Sequence, residues 1–226
     1  MLDATDEKIR HDGAVRSCAV LTAIGIDTDG KRSVIGCSVQ LSEAEPHLRK
    51  FLESLQKRGM RGVKLIVSDD YAGLRAARQA VMAGVPWQRC QFHTIRNAIV
   101  QAPKFPMRSE VARDLRRVFD ADETAEAERR LKDVVARYQK TAPQLAAWLE
   151  QSAPEAFTVL RIPAAHRRRM RTTNGLERLN KEIKRRTRVA TLFPNEASLL
   201  RLASAVLSEI SDDWETERAY LNMEAR

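Results

Sequence analysis

The sequence lacks a long hydrophobic run, a signal peptide and a cysteine framework, and each absence excludes a class of protein. No apolar stretch approaches the roughly 20 residues that a membrane-spanning helix needs. The N-terminus does not show the charged segment followed by an apolar one that a signal peptide would have. The three cysteines, Cys18, Cys37 and Cys90, are odd in number and widely spaced. The sequence therefore predicts a reducing, cytoplasmic location without disulfides.

Acidic residues are scarce in one stretch of a chain that is already basic. The formal net charge is +9 over 226 residues. Between Arg167 and Arg188 stand ten lysines and arginines but only two acids, Glu177 and Glu182. Positive charge concentrated in this way favours a polyanionic partner, with nucleic acid as the first candidate. A membrane surface is disfavoured, because no basic amphipathic helix with an aromatic face is present.

The first part of the chain has the pattern of a mixed α/β protein. Asp-Gly pairs at 12–13 and 29–30 separate three β-prone runs, which predict an antiparallel meander. Helix and strand patterns then alternate. The predicted strands are 2–10, 14–26, 33–41, 63–67 ("VKLIV") and 87–92, and the predicted helices are 43–58 and 72–83. The order β-β-β-α-β-α-β is typical of a ribonuclease H-like mixed sheet flanked by helices, with the first and fourth strands adjacent.

The rest of the chain has mostly helical periodicity. "SEVARDLRRVF" and "ETAEAERRLKDVVARY" space apolar residues by three and four, and Pro143 and Pro154 interrupt the pattern. This predicts an all-α insertion between the fifth strand and the helix of Glu177. Residues 196–221 predict a last amphipathic helix. The predicted domains are a first core segment at 1–105, the insertion at 106–165 and the rest of the core at 166–226.

Glu177 lies in "TTNGLERLNKEIKRRT", residues 172–187, and has two interpretations. If a helix starts at Asn174, then Asn174 and Glu177 have the spacing of a capping box. Alternatively, Glu177 shares one side of the helix with Asn180 and Lys184. An acid beside a lysine suits phosphodiester chemistry, with a metal ligand next to a phosphate contact.

Two further acids have strand positions that suit a site. Asp69 follows the "VKLIV" run, and ligands of open α/β sheets gather at the carboxyl ends of parallel strands. The alternative is that Ser68 or Asp70 caps the next helix. Asp3 lies in the first strand, which the predicted topology places beside the fourth. We therefore expect Asp3 and Asp69 to lie close together.

Three converging carboxylates would repel one another without a cation. Oxygen-only ligands suit Mg²⁺ or Mn²⁺, and a pair of such ions can assist an in-line phosphoryl displacement. The stretch from Arg167 to Arg188, which we call the basic window, would then bind the phosphates of DNA. The predicted DNA contacts are Arg171, Asn174, Asn180, Lys181, Lys184, Arg185, Arg186 and Arg188.

Four segments together resemble a known family. "LDATDEKIR", "LIVSDDYAGL", "WQRCQFHTIRN" and "RTTNGLERLNKEIKRRTRVATLFPNEASLLRL" are similar to those of bacterial Mutator-type insertion-sequence transposases, and the match covers essentially the whole chain. The resemblance implies a ribonuclease H-like core with a DDE triad and an α-helical insertion before the glutamate. Carried over by motif, the triad is Asp3, Asp69 and Glu177, with Lys184 seven residues after the glutamate.

The resemblance also implies an activity and partners. Such enzymes cut double-stranded DNA at the terminal inverted repeats of the element and join the freed 3′-hydroxyls to target DNA. They use divalent metal and form no covalent intermediate, and we expect a homo-oligomer bound to DNA, nucleoid-associated in that state. The family also carries the Cys-x-x-His seen here as Cys90 and His93. Because these are two ligands where a closed zinc site needs four, we expect His93 to support the site by orienting DNA or a carboxylate.

Two alternative functions stay open. Family members carry an N-terminal region ahead of the first catalytic strand, whereas here Asp3 is the third residue. One alternative is therefore a truncated, catalytically silent DNA-binding remnant that interferes with full-length transposase. The other is a host ribonuclease H-like nuclease, which cleavage of RNA–DNA hybrids would reveal.

Overall fold

The first strands of the computed structural model form an antiparallel meander. The structure describes residues 1–41, 44–190 and 192–224. Strands β1 (Leu2–His11), β2 (Ala14–Ile26) and β3 (Arg32–Gln40) pair in succession. At the first turn Asp12 and Gly13 have φ of 50° and 75°, the positive values that Asp-Gly hairpins favour. The meander is confirmed, and its strand ends move by one residue or less from the prediction.

Two short strands complete a five-stranded sheet in the order β3-β2-β1-β4-β5. They are β4 (Ile66–Ser68) and β5 (Trp87–Arg89). The predicted strand at 63–67 starts too early, because residues 63–65 do not pair with a neighbouring strand. The observed strand β4 consists of three residues, and all three are buried. The predicted strand at 87–92 is too long, because a helix already starts at Gln91. The predicted order, with the first and fourth strands adjacent, is confirmed.

The described residues divide into two compact units. The first comprises Met1–Ile66, Asp70–Val85 and Thr173–Glu224, and the second comprises Val67–Asp69 and Pro86–Thr172. The domain limits predicted at residues 105 and 165 stay a prediction, since compact packing units need not coincide with domains. The helices are α1 (Glu45–Lys57), α2 (Ala72–Met82), α3 (Gln91–Gln101), α4 (Phe105–Phe119), α5 (Thr124–Tyr138), α6 (Pro143–Ser152), α7 (Ala164–Met170), α8 (Asn174–Ala190) and α9 (Glu196–Thr216).

The helices of the first unit follow their predicted apolar patterns. Helix α1 buries Leu48, Phe51, Leu52 and Leu55 as expected. Its predicted start at Glu43 lies outside the described residues. Helix α9 begins after Asn195, whose side chain accepts a hydrogen bond from the Ser198 amide at 2.9 Å. It ends at Thr216 and not at the predicted Leu221, because the chain becomes extended at Glu217 and the Leu221 amide then binds the Gly30 carbonyl at 3.0 Å.

One apolar cluster holds α8 and α9 against the meander. It contains, among others, Ile9, Val20 and Ile24 from the strands, Leu176, Leu179 and Ile183 from α8, and Leu199, Val206 and Leu207 from α9. A second attachment follows α8, where Phe193 forms a parallel bridge with Ile9. There the Arg10 amide donates to the Phe193 carbonyl at 2.7 Å. Helix α8 is therefore fixed along β1.

The second unit is helical after β5, as predicted for the insertion. It contains α3 to α7 and two short 3₁₀ helices, Ala153–Ala156 and Thr158–Arg161. Its buried Asp114 carboxylate accepts hydrogen bonds from Arg137 and from the Tyr138 hydroxyl. Helix α3 was not predicted, because several of its buried side chains are polar, including Gln91, His93 and Thr94, and give no hydrophobic period. Among the described residues, no helix is long and apolar enough to cross a membrane.

Candidate active site

Asp3 is a buried acid in β1, the central strand of the sheet. It is only 8% exposed. Its cross-strand neighbour is Thr22 on β2, and directly opposed residues point to the same face of a sheet. The side-chain amide of Asn180 on α8 donates to Asp3 Oδ2 at 2.8 Å. This bond provides the donor that a buried carboxylate requires.

Asn180 is buried together with Asp3. It is 8% exposed, and its Oδ1 atom accepts no hydrogen bond from any described residue. A buried polar atom in that state costs about 1–3 kcal/mol. The sequence predicted a DNA contact for Asn180, whereas the structure places it against the strand acid. Its position, four residues after Leu176 and three before Ile183, is the signal that could have indicated burial.

Glu177 lies in the first turn of α8 and is half-buried. Its amide donates the first helical hydrogen bond, to the carbonyl of Thr173 at 3.0 Å. Thr173 is therefore the capping position, and the residue three positions later is Leu176. The capping-box interpretation of Asn174 and Glu177 is wrong, because Asn174 is already the first helical residue.

Helix α8 has three sides with different surroundings. The buried side carries Leu176, Leu179, Asn180, Ile183 and Thr187. At 100° per residue, Glu177, Lys181, Lys184 and Arg188 share one border of the buried side, which we call the Glu177 flank. Glu182 and Arg186 share the opposite border, and together with Arg185 we call them the Glu182 flank. Lys181, Lys184 and Arg188 are exposed, and none of them forms an ion pair within the part of the chain that is described.

The Glu182 flank is an ion-pair network. Arg185 donates to both carboxylate oxygens of Glu182, at 2.9 and 2.6 Å. Arg186 binds Glu182 at 3.0 Å and also Glu209 of α9 at 3.3 Å. The hydrogen bonds from Arg185 and Arg186 lower the pKa of Glu182 to about 2. These two cations, predicted to contact DNA, therefore already have protein partners.

In the second unit, Asp69 follows β4 and lies near His93 of α3. His93 Nδ1 is 3.9 Å from Asp69 Oδ2, which is too far for a direct hydrogen bond between these two atoms. Cys90 is buried at the start of α3, and its amide donates to the Ser68 carbonyl at 2.7 Å. Cys90 thus ties α3 to the residue before Asp69. Both residues of the Cys-x-x-His motif therefore lie near the same acid.

Asp70 has a different surrounding in the first unit. Arg75 donates to both of its carboxylate oxygens, at 3.0 and 2.8 Å. The alternative in which Ser68 or Asp70 caps the next helix is wrong. The capping position of α2 is Tyr71, and its side chain forms no capping hydrogen bond.

Comparison with known proteins identifies the family. The model of the Mutator family of transposases matches residues 1–217. The chain belongs to that family. It is 54% identical over 98% of its length to the transposase for insertion sequence element IS406 of Burkholderia multivorans, and covers 57% of that protein. The family assignment expected from the motifs is confirmed.

Other Mutator-family relatives give the same result. The chain is 39% identical over 99% of its length to the transposase for element ISRM5 of Rhizobium meliloti, and covers 56% of it. It is 35% identical over 99% of its length to the transposase for element IS256 in transposon Tn4001 of Staphylococcus aureus, and covers 58% of it. The chain thus spans somewhat more than half the length of the relatives it matches.

The basic window of this Mutator-family chain is not one uniform surface. In the second unit, the Arg167 guanidinium donates to three backbone carbonyl oxygens at 2.6–3.0 Å. Arg171 forms an ion pair with Asp120 at 3.2 Å. In the first unit, Asn174 is exposed at the start of α8. The sequence shows how many cations this window contains, but not which of them form ion pairs or hydrogen bonds within the protein.

Cys18 and Cys37 do not offer a thiolate site. Burial raises the pKa of Cys18 to about 11, with smaller contributions from Glu196, Glu7 and Asp6, and burial raises the pKa of Cys37 to about 12. Both thiols are therefore protonated at neutral pH, and metal binding would first require their deprotonation. Across residues 1–41, 44–190 and 192–224, no three His, Cys, Asp or Glu side chains come together as a ready metal site.

Proposed function

We propose that this chain is the catalytic part of a DDE transposase. It would cleave DNA at the ends of an insertion sequence and transfer the cut strands into target DNA. The observation that carries the proposal is the Asn180–Asp3 hydrogen bond, which joins the acid of the central strand to the helix that bears Glu177. The family assignment and the sheet order β3-β2-β1-β4-β5 support a ribonuclease H-like core.

The proposed catalytic residues are Asp3, Asp69 and Glu177, and their chemistry fits a hard divalent ion. All three offer carboxylate oxygens, the ligands that Mg²⁺ and Mn²⁺ prefer. The buried, protonated thiols of Cys18 and Cys37 do not favour a soft metal. When bound, Mg²⁺ or Mn²⁺ would lower the pKa of an attacking hydroxyl and neutralise charge on the leaving oxygen.

Each of these residues has support from its own unit. The Asn180 amide holds the carboxylate of Asp3. The first helical turn of α8 fixes the backbone of Glu177. The imidazole of His93 lies 3.9 Å from the carboxylate of Asp69 and is proposed to orient it. The Asn180 bond limits the rotation of the Asp3 carboxylate, and the placement of such groups decides the rate of a phosphoryl transfer.

DNA is the proposed partner, and the Glu177 flank is its main proposed contact. Lys181, Lys184 and Arg188 are exposed on the side of α8 that carries the proposed catalytic glutamate. A phosphate chain bound along them would pass beside Glu177. Asn174, Arg171, Arg185 and Arg186 stay predicted contacts, and the last three would have to exchange their carboxylate partners for phosphate. Assembly as a homo-oligomer on DNA is part of the proposal.

Strand transfer by a pre-cut DNA end tests the proposal. In Mg²⁺ or Mn²⁺, the purified chain is expected to join a 3′-hydroxyl end carrying the terminal repeat to a target duplex. Asp69→Ala should abolish joining and leave DNA binding nearly unchanged, because the substitution removes a proposed metal ligand and no cation. Asp70→Ala, which removes the neighbouring acid, is the matched control.

The outcomes separate the proposal from its alternatives. Joining that survives in both Asp69→Ala and Glu177→Ala would overturn the assignment of the catalytic acids. DNA binding without any joining by the unmodified chain would support the silent remnant. Metal-dependent cleavage restricted to RNA–DNA hybrids would support the ribonuclease.

A further inference from the structure

Three observations meet at the start of β1. Asp3 is buried and accepts a hydrogen bond from the Asn180 amide at 2.8 Å. Asn180 Oδ1 is buried and accepts no hydrogen bond from a described residue. The hydroxyl of Thr22, opposite Asp3 on β2, is also buried without a hydrogen bond to any described group. Native proteins leave few buried polar atoms in this state, so a pair of them around one acid requires an explanation.

We infer that Asn180 is a positioning residue for the proposed reaction, acting through Asp3. Its amide fixes the orientation of the Asp3 carboxylate relative to the helix that bears Glu177. This inference rests on the proposed function. It differs from the DNA contact that the sequence predicted for Asn180, because a side chain that is 8% exposed has little surface left for a phosphate.

The direction of the hydrogen bond follows from charge. An amide presents a donor on one side and an acceptor on the other. Turning Asn180 around would bring its carbonyl oxygen against the carboxylate, so the orientation with nitrogen towards Asp3 is the favourable one. The carbonyl oxygen is then the atom left over. Asn180 follows Glu177 by three residues, so the two side chains are neighbours on the helix surface.

The residue type suits this task better than its alternatives. A lysine or arginine here would neutralise Asp3 and compete with a metal ion for it. An aspartate would repel Asp3 and give no donor. Asparagine supplies a donor without charge, so it can hold Asp3 without neutralising it. Its leftover oxygen is of the kind that Mg²⁺ and Mn²⁺ accept, directly or through water.

A double-mutant cycle on metal affinity tests the inference without DNA. The affinity of the 226-residue chain for Mn²⁺ is measured by electron paramagnetic resonance of free Mn²⁺. The variants are Asn180→Leu, which keeps the branching of the side chain but removes its hydrogen-bonding atoms, Asp3→Asn, and their combination, with thermal unfolding recorded for each. Loss of an outer partner of a ligand typically weakens metal binding by about 10–100-fold. We expect Asn180→Leu to weaken Mn²⁺ binding by about tenfold in the unmodified chain and to have no effect in the Asp3→Asn background.

The outcomes distinguish the inference from the proposed function. If Asp3→Asn does not change Mn²⁺ binding, the proposed metal role of Asp3 fails, and the inference fails with it. If Asp3→Asn weakens binding and Asn180→Leu does not, only the inference is overturned. Equal losses from Asn180→Leu in both backgrounds would show a structural role only, and would also overturn it.

A measurement on the unsubstituted side chain covers the case in which Asn180→Leu does not fold. The two side-chain amide protons of Asn180 are followed by NMR in the ¹⁵N-labelled chain. Their resonances are expected to shift on Mg²⁺ addition and in Asp3→Asn, because Asp3 is their acceptor. Signals that respond to neither change would overturn the inference.

Discussion

The two flanks of α8 both carry an acid and several cations, but they differ in which of these form ion pairs. On the Glu182 flank, the acid binds Arg185 and Arg186, and the network extends to Glu209 of α9. On the Glu177 flank, Lys181, Lys184 and Arg188 form no ion pair with any described residue. A sequence count of ten cations in one window treats them as equal. The comparison shows that the cations of a basic window differ in their surroundings, because the fold pairs Arg185 and Arg186 with acids and leaves the three cations of the Glu177 flank without an ion pair to any described residue.

The two glutamates provide the strongest test of this comparison. Glu177→Gln should lower strand transfer by ~10³-fold or more, because it removes a proposed metal ligand while conserving shape. Glu182→Gln is the matched substitution five residues further along the same helix, and should leave the rate within a few-fold. Strand transfer of a pre-cut end in Mg²⁺ and in Mn²⁺ measures both. Similar losses in the two variants would contradict the division into flanks.

The cations give a second, smaller test through the salt dependence of DNA affinity. Each neutralised phosphate contributes about 0.9 to the slope of log affinity against log salt concentration. Replacing Lys181, Lys184 and Arg188 together by Gln should therefore reduce that slope by about 3 and weaken binding roughly 10²-fold at 0.1 M salt.

The control for that variant is the double substitution Arg185→Gln with Arg186→Gln. Because these guanidiniums already bind Glu182, it should change the slope by less than about 1. Fluorescence anisotropy with one labelled duplex, from low to moderate salt, measures both variants. A larger change from the double substitution would show that phosphate displaces Glu182.

The smallest expected effect is on stability in acid. The pKa of Glu182 is lowered from 4.5 to about 2 by its two arginines. A lowered folded-state pKa means that the carboxylate contributes stability fully above pH 4.5 and loses that contribution as the pH falls through about 2. The melting temperature of Glu182→Gln should therefore lie slightly below that of the unmodified chain from pH 7 to about 5, and the difference should vanish near pH 2. In a variant whose Arg185 and Arg186 are both replaced, the change in melting temperature caused by Glu182→Gln should no longer depend on pH in this way.

The meander could be predicted from sequence because its signals are local. Asp-Gly between β-prone runs defines a hairpin, and the strands agree with the prediction to within one residue. The start of β4 could not be predicted, because "VKLIV" is apolar throughout and only the sheet decides which residues join the ladder. Helix α3 was missed because its buried residues Gln91, His93 and Thr94 are polar and form no hydrophobic pattern. The burial of Gln91 depends on a tertiary contact, since its side chain donates to the Ala156 carbonyl at 3.0 Å.

For the candidate site, the sequence indicates acids but not the side chains that bind them. Asp3 and Glu177 could be selected from their positions in a strand and a helix. The Asn180–Asp3 bond spans 177 residues of sequence, and no local pattern indicates such a pairing. The interpretation of Asn180 as an outward-facing polar residue gave too little weight to its apolar neighbours at helical spacing. The ion pairs that Glu182 forms with Arg185 and Arg186 likewise depend on side-chain geometry.

The double attachment of α8 to β1 limits how this part of the chain can change in length. Asn180 meets Asp3 near one end of the strand, and Phe193 bridges Ile9 towards the other. The strand interval of six residues is about 20 Å long, and the chain from 180 to 193 must match it. One residue inserted between Asn180 and the end of α8 at Ala190 would turn the side chains that follow it in the helix by about 100°. We therefore expect insertions and deletions to be accepted in the loops of the helical insertion, and rejected between Asn180 and Ala190.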